Sequence, residues 1–292
     1  MGPMSETFAA FILTNKRPDR VYTYTHLRNS GYTGRVFFVV DDGDPTLAEY
    51  CRKYGDAVLV FNKAAVAATF DLADTFHQQL GAVVFARNAV AALAKERQID
   101  TYVMLDDDYT QFQYRFDREG NYKYAQIRSL DLVFAAMVNF HRQTPAVTVC
   151  MAQGGDFIGG SQSQYAAGMT LTRKAMNTFF CRADRPFAFV GRINEDVNTY
   201  VSQGARGVLL LTTNAVAIVQ KLTQSNAGGM SDFYHQNGTY VKSFYTIMMA
   251  PSCVKIATMG NKNRRLHHLV LWRYAVPKIV DEKHRKFTEV AQ

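Results

Sequence analysis

Cysteine is scarce in this 292-residue sequence, and its four copies, Cys51, Cys150, Cys181 and Cys253, stand far apart with no CxxC pair. That spacing argues against both a disulfide framework and a zinc site, leaving buried free thiols in a reducing compartment as the expectation. Long hydrophobic runs are missing as well. None approaches the roughly 20 apolar residues that a membrane-spanning helix needs. No charged segment followed by an apolar stretch opens the chain, so a cytoplasmic protein without membrane contact is expected. Internal repeats, low-complexity segments and linkers are also lacking. What remains is ordinary globular composition, 48% hydrophobic and 20% charged, in a chain long enough to bury a sizeable core unaided. One domain over residues 4–292 is expected.

The net charge is +8, and nine Lys and Arg against two Asp and Glu place +7 of it between Lys255 and Lys286. A local basic segment is the footprint of a polyanion partner such as nucleic acid, although a solvated face reads the same way.

Apolar runs alternate with helical patterns through the first half. Phe8 to Thr14, Arg35 to Val40, Ala57 to Phe61 and Thr101 to Leu105 read as buried strands. Thr46 to Tyr54 and Ala82 to Arg97 carry helical spacing. This is the grammar of an α/β fold with a parallel sheet, in which ligands sit outside the carboxyl ends of the strands. In the second half, Ser129 reads as the N-cap of a helix reaching about Arg142. Further helices are expected over Glu195 to Gln203, stopped by Gly204, and over Thr239 to Ala250, stopped by Pro251. Strands are expected at Val147 to Met151, Gly168 to Thr172, Val208 to Leu211 and Ala215 to Val219.

The strand ends carry the candidate chemistry. Asp106-Asp107-Asp108 follows the fourth strand directly. Three adjacent carboxylates repel one another unless a cation neutralises them, and Mg²⁺ and Mn²⁺ favour such oxygens together with phosphates. Alternate residues of an extended segment share a face, so Asp106 and Asp108 can reach one metal, or one can bind metal and the other sugar. Asp41 and Asp42 end the second strand, where a carboxylate can accept from the imide N–H of uracil. Thr14, Asn15 and Arg17 follow the first strand as further nucleotide-binding candidates. Arg87-Asn88 lies early in a helix, from which a diphosphate could be reached. Glu195-Asp196 opens a helix, as a helix dipole alone would favour. His267 and His268 lie in the basic segment as candidate metal ligands, pointing to opposite sides if on a strand.

Four features recur in order: a strand ending in Asp (VVDDGD), an Arg-Asn helix (FARNAVAAL), a strand ending in a DxD motif (VMLDDDY) and a Glu-Asp helix (INEDVNTYV). Together they resemble glycosyltransferases of the GT-A fold over about residues 8 to 212. A narrower resemblance rests on MAQGGDFIGG, RPFAFVGRINEDVNTYVSQGARG, KLTQSNAGGMSDFY, GTYVKSFYTIMMAPSCVKI and RRLHHLVLW. These look like the TET-associated glycosyltransferases, phage and eukaryotic enzymes linked to modified DNA bases.

That resemblance implies a GT-A (Rossmann-like) mixed, mainly parallel sheet flanked by helices, with an irregular C-terminal acceptor-binding part. Residues 4–125 would form the nucleotide-sugar-binding half and 126–292 the acceptor-binding half. It implies transfer from a UDP-sugar to a 5-hydroxymethylpyrimidine of DNA, 5-hydroxymethylcytosine first, with inversion. Asp106 and Asp108 would hold Mn²⁺ or Mg²⁺, completed by His268 or else His267, with Asp107 left as a sugar contact. Asp196 would be the general base beside Glu195. Arg192, Gln220, Lys221, Gln224, Asn226, Lys242 and Tyr245 would contact the acceptor. The alternatives are a protein or carbohydrate acceptor, a metal-dependent nucleotidyltransferase and a non-catalytic DNA-binding module.

Overall fold

The computed structural model describes residues 7–73, 82–163, 165–166, 171–221, 241–259 and 265–278. Strand β1 (Phe8–Leu13) shows why its run is apolar throughout: all six residues are buried. Ala9, Phe11 and Leu13 face one helical layer, while Phe8, Ala10 and Ile12 face the other. The first layer contains α4 (Val83–Glu96) and α6 (Glu195–Ala205). The second contains α1 (Tyr22–Asn29), α2 (Leu47–Tyr54) and α5 (Leu130–Arg142). A strand covered on both faces has no polar side, so period-two alternation disappears.

β1 pairs in parallel with β2 (Arg35–Asp41) and with β4 (Thr101–Asp106), and β2 pairs in parallel with β3 (Val58–Phe61). Beyond β4 the sheet changes character. β8 (Phe179–Arg182) runs antiparallel to β4 and to β7 (Thr148–Gln153), and β7 runs parallel to β9 (Leu210–Gln220). β9 is antiparallel to β5 (Tyr109–Phe116), which is antiparallel to β6 (Tyr122–Gln126). The order is β3-β2-β1-β4-β8-β7-β9-β5-β6, and β10 (Val254–Met259) with β11 (Arg265–Val270) makes a separate antiparallel pair.

The expected GT-A (Rossmann-like), mainly parallel sheet is therefore corrected. Of the eight pairings in the large sheet, four are parallel and four antiparallel. Apolar runs announce strands but not their direction, and the reversals at β8 and through the β5–β6 hairpin carry no such signal. Even so, β1, β2, β3, β4, β6, β7 and β9 all run the same way. Their carboxyl ends gather at one edge with the starts of β5 and β8.

Several expected elements also shift. Val208 to Leu211 and Ala215 to Val219 are parts of one strand, β9. Of the strand expected over Gly168 to Thr172, the described Leu171 and Thr172 form a bend. Ser129 precedes α5 without a side-chain cap. The start of α5 is tied instead by Leu130 N–H to Ser30 O at 2.9 Å, and by Asp131 accepting from the Thr33 amide and hydroxyl at 3.0 and 2.6 Å. A further helix, α7, covers 241–249 and ends before Pro251 as expected. The last described helix is α8 (Trp272–Ala275). Among the described residues no helix is long and apolar enough to cross a membrane.

Candidate active site

The acidic run turns the corner from β4 to β5, and its backbone is held on two sides. Thr23 of α1 donates through its hydroxyl to Asp106 O at 2.5 Å and accepts from Tyr109 N–H at 2.9 Å, while its amide donates to Asp107 O at 3.2 Å. Lys221, just past β9, donates its amide to Asp108 O at 3.2 Å. Thr23 is fully buried, and nothing in its sequence context marks this role.

The three carboxylates then diverge. Asp107 turns to the α2 layer, where it accepts from Thr14 Oγ1 at 2.8 Å and pairs with Arg17 Nε at 3.3 Å. Tyr50 of α2, which the sequence did not single out, hydrogen-bonds Thr14 Oγ1 at 2.8 Å and accepts from Arg17 N–H at 2.9 Å. Burial pushes Asp107 up to about 6 against the opposing charge of Arg17. Asp107 is thus a buried pin on the β1 loop, not the sugar contact expected of it.

The β1 and β2 loops are stitched together in the same region. Asn15 donates to Asp41 at 2.7 Å and the Lys16 amide donates to Asp44 at 2.7 Å. Asp41 also accepts from Gly43 N–H at 3.0 Å, with Lys63 Nζ at 3.9 Å. Asp42 accepts from Asn62 Nδ2 at 2.7 Å and Lys63 N–H at 3.1 Å, which fixes the start of α3 (Lys63–Ala67). The nucleotide-binding candidates Thr14, Asn15, Arg17, Asp41 and Asp42 therefore form one polar cluster at the sheet edge.

Asp106 turns to the opposite layer. Arg87 of α4, 5% exposed, donates through Nη2 to Asp106 Oδ1 at 3.1 Å and through Nε to Glu195 Oε1 at 3.1 Å. Its guanidinium lies over the rings of Phe179 and Phe189 at 4.9 and 5.5 Å. Burial alone would lower the Arg87 pKa, but Asp106 and Glu195 outweigh it and hold the group charged. Arg87, expected at a diphosphate, instead bridges the β4 acid to the start of α6. Asn88 locks the approach to α6, donating to Phe189 O at 2.9 Å and accepting from Phe189 N–H at 2.8 Å.

That approach is an unusual backbone. Gly191 has φ +78°, and a Cβ there would meet Asn198 Nδ2 at 2.5 Å. Asn194 caps α6 from the left-handed region at φ 53°, which Asn tolerates better than most residues. Asn194 Nδ2 donates to Lys242 O at 2.9 Å and Thr246 Oγ1 at 3.0 Å, joining α6 to α7. Burial, the neighbouring Asp196 charge and the opposing Arg87 together put Glu195 up to about 7. Burial also raises Asp196, with Arg87, Lys242 and Lys174 opposing. Asp196 accepts from Val197 N–H at 2.8 Å, and it is the less enclosed of the two acids.

The acceptor candidates divide. Tyr245 is 2% exposed, and its hydroxyl donates to Leu72 O and accepts from Arg192 N–H at 3.1 Å. It braces the Arg192 loop and presents no ring to a base. Arg192 is buried with its guanidinium 5.6 Å from the Phe85 ring. Lys242 lies beside Asp196, Lys221 Nζ sits 3.5 Å over the Tyr22 ring, and Gln220 ends β9. Gln224 and Asn226 lie outside the described residues.

Asp108 fits a cation. Burial pushes it up to about 7, helped by Asp106 and Asp107, and its Oδ1 is buried without a hydrogen-bond partner. The expected third ligand departs from this set, since no three His, Cys, Asp or Glu among the described residues converge as a metal cluster. His268, on β11 opposite Ile256, is 5% exposed with neither ring nitrogen partnered. Burial, then His267, Lys174 and Lys242, push its pKa down to about 3.

The strand-end acid, the buried arginine and the acidic helix start meet at one edge of the sheet, and family membership makes the protein a glycosyltransferase. The family model described as TET-Associated Glycosyltransferase matches residues 8–229, and the chain belongs to that family. No curated protein matches it. Among solved structures, S. aureus TarS is 14% identical with a TM-score of 0.43, covering 78% of this chain, which spans 38% of TarS. A mycobacterial protein is 11% identical with a TM-score of 0.45, covering 91% of this chain and 84% of its own. Glucosyl-3-phosphoglycerate synthase from Mycobacterium tuberculosis, solved with Mg²⁺ and UDP, is 8% identical with a TM-score of 0.45, covering 91% and 88% respectively. These likenesses are distant.

Proposed function

We propose that this glycosyltransferase moves a sugar from a UDP-sugar to the hydroxyl of a 5-hydroxymethylpyrimidine in DNA, 5-hydroxymethylcytosine first, with inversion. The reading rests most on Arg87, which ties the Asp106 carboxylate to the Glu195–Asp196 helix start. The donor's diphosphate belongs at the acid run and the acceptor at α6, so residues 4–125 supply most of the donor side and 126–292 most of the acceptor side.

Asp106 and Asp108 would hold Mn²⁺ or Mg²⁺ without His268, and the metal would offset charge on the departing UDP. Asp41 offers an acceptor for the uracil imide, beside the loop that carries Thr14, Asn15 and Arg17. Asp196 takes the proton from the acceptor hydroxyl, which becomes acidic as its oxygen bonds to the anomeric carbon. Glu195 is engaged by Arg87 and so holds geometry while Asp196 carries the proton. Lys242, beside Asp196, and Lys221, next to the acid run, would contact an acceptor phosphate. If the base must reach Asp196 it leaves the stack, at a cost of a few kcal/mol.

A second reading keeps the donor chemistry and changes the acceptor to a carbohydrate or protein hydroxyl. The carboxylate pair favours it equally, because that pair recognises a hydroxyl and not its carrier. Incubation with UDP-sugars and hydroxymethylated or unmodified DNA separates the two. A mass gain of one hexose or pentose on digested hydroxymethyl nucleosides supports the DNA acceptor. UDP release that ignores DNA but responds to glycans or proteins transfers the assignment to the second reading.

A further inference from the structure

Three amide side chains meet where β7, β8 and β9 reach the active edge. Asn177, 4% exposed, directs its –NH₂ group to Gln153 Oε1 at 3.4 Å and to Gln220 Oε1 at 3.2 Å. A carboxamide has two N–H donors, so both are committed. Gln153 is committed as well. Its oxygen caps the turn at Gly154–Phe157, and its nitrogen lies 2.9 Å from Met176 Sδ.

Gln220 differs. With its oxygen held by Asn177, its –NH₂ is left to point the other way. The next residue, Lys221, is bonded to Asp108 O, which sets Gln220 beside the acid run. A neutral N–H donor can bond a phosphate oxygen but brings no charge to offset a diphosphate. A hydroxyl or carbonyl oxygen asks for no such charge.

Val216 and Ile218 alternate onto the layer that holds α1 and α5, and Gln220 continues that face. Asp196 begins a helix of the opposite layer, with Val197 packed there. Gln220 and Asp196 thus approach the edge from opposite faces. With Asp196 as the base, an attacking hydroxyl would enter on its side, which would leave the transferred sugar nearer Gln220.

We propose that Gln220, oriented by the buried Asn177, is a specificity-determining residue that donates a hydrogen bond to a hydroxyl oxygen of the donor sugar. The assignment rests on the UDP-sugar reading and replaces the base-edge role expected for Gln220. Asn177 acts as a positioning residue, because it sets which end of the Gln220 amide faces outward.

The test is calorimetric titration of the full chain with Mn²⁺ and UDP, UDP-glucose, UDP-galactose or UDP-xylose, without acceptor. Gln220→Met should keep the wild-type affinity for UDP and reduce the preference for the best sugar by about five- to tenfold, the worth of one uncharged hydrogen bond. Asn177→Asp would accept from the Gln220 –NH₂ and turn its oxygen outward, so the preference should fall with Gln220 intact. If thermal melting shows that this variant is unfolded, Gln220→Met alone decides. UDP binding with an unchanged ranking of sugars in Gln220→Met overturns the inference alone. An unchanged ranking with an altered KM for DNA overturns it by placing Gln220 on the acceptor. Wild-type protein that binds no UDP overturns the donor reading and this inference together.

Discussion

Neighbouring carboxylates in this site do different work because their partners differ. Glu195 faces the Arg87 guanidinium, whereas Asp196 accepts from the amide of Val197 and stays the less enclosed. Asp196→Asn should therefore lower transfer by about 10²–10⁴-fold, the usual worth of a general base, while UDP affinity is kept. Transfer at the wild-type rate in that variant would remove Asp196 as base. Asp108 allows a pH test. Burial, Asp106 and Asp107 push it up to about 7, and burial pushes Glu195 to about 7. Both values lie above those of the unfolded chain, so the folded state binds more protons below about pH 7. The stability these groups contribute is full at acid pH and is lost as pH rises through about 7. His268, pushed down to about 3, works in the opposite sense, its contribution vanishing as pH falls. A cation takes the place of the Asp108 proton, so Mn²⁺ should raise the melting temperature more at mildly alkaline than at mildly acidic pH. Asp108→Asn should remove most of that difference, and an equal Mn²⁺ effect at both pH values in the wild type would exclude Asp108 as a ligand. The run itself was visible in sequence, and so was its place at the end of β4. The inward turn of Asp107 was not, because it depends on Thr14, Arg17 and Tyr50, which come from two other elements.

At the scale of elements, sequence reading succeeded where a segment's burial is decided locally. The helical spacing of Ala82 to Arg97 became α4, and the apolar runs of the first half became β1 to β4, because helices on both faces require such runs. It failed where long-range pairing decides. β8 and the β5–β6 hairpin were not expected, and the reversed strands β5 and β8 make half of the large sheet's pairings antiparallel. Gly204 shows a related error. It reads as a helix stop, yet α6 continues through it to Ala205. A Cβ at Gly204 would lie 2.1 Å from Ala275 O, so the residue is glycine to let α8 approach α6. The stack of Tyr200 on Trp272, with ring centroids 5.6 Å apart, belongs to the same contact. Gly204→Val should force α8 away and cost at least about 1–3 kcal/mol, the scale of an overpacked interior. Because α6 carries Asp196, kcat should fall with the melting temperature. An unchanged melting curve would show that the contact does not hold α6 in place.

On the scale of the whole molecule, the sheet collects seven strand ends at one edge, and the two helical layers bring their polar residues to it from either side. Donor chemistry needs only that edge. A DNA acceptor needs a charged surface as well, and the +7 carried by Lys255 to Lys286 is the obvious source. Of that segment the structure describes 255–259 and 265–278. Here β11 is joined to α7 by Ser243 Oγ donating to Leu266 O at 2.8 Å, while α7 is joined to α6 through Asn194. The described part of the basic segment is thus joined through α7 to the helix that bears Asp196, as a backbone-gripping surface would need to be if Asp196 is the base. If DNA is the acceptor, affinity should fall linearly in log–log form with salt, with a slope of about −0.9 per phosphate neutralised on duplex. Replacing Lys255, Arg273 and Lys278 together by Gln should flatten that slope by about one unit for each phosphate no longer neutralised and raise KM for DNA, with UDP affinity unchanged. Fluorescence anisotropy of labelled duplex over a salt series measures it. A slope that stays the same in the triple variant would detach the basic segment from DNA and favour a carbohydrate or protein acceptor at the same carboxylates.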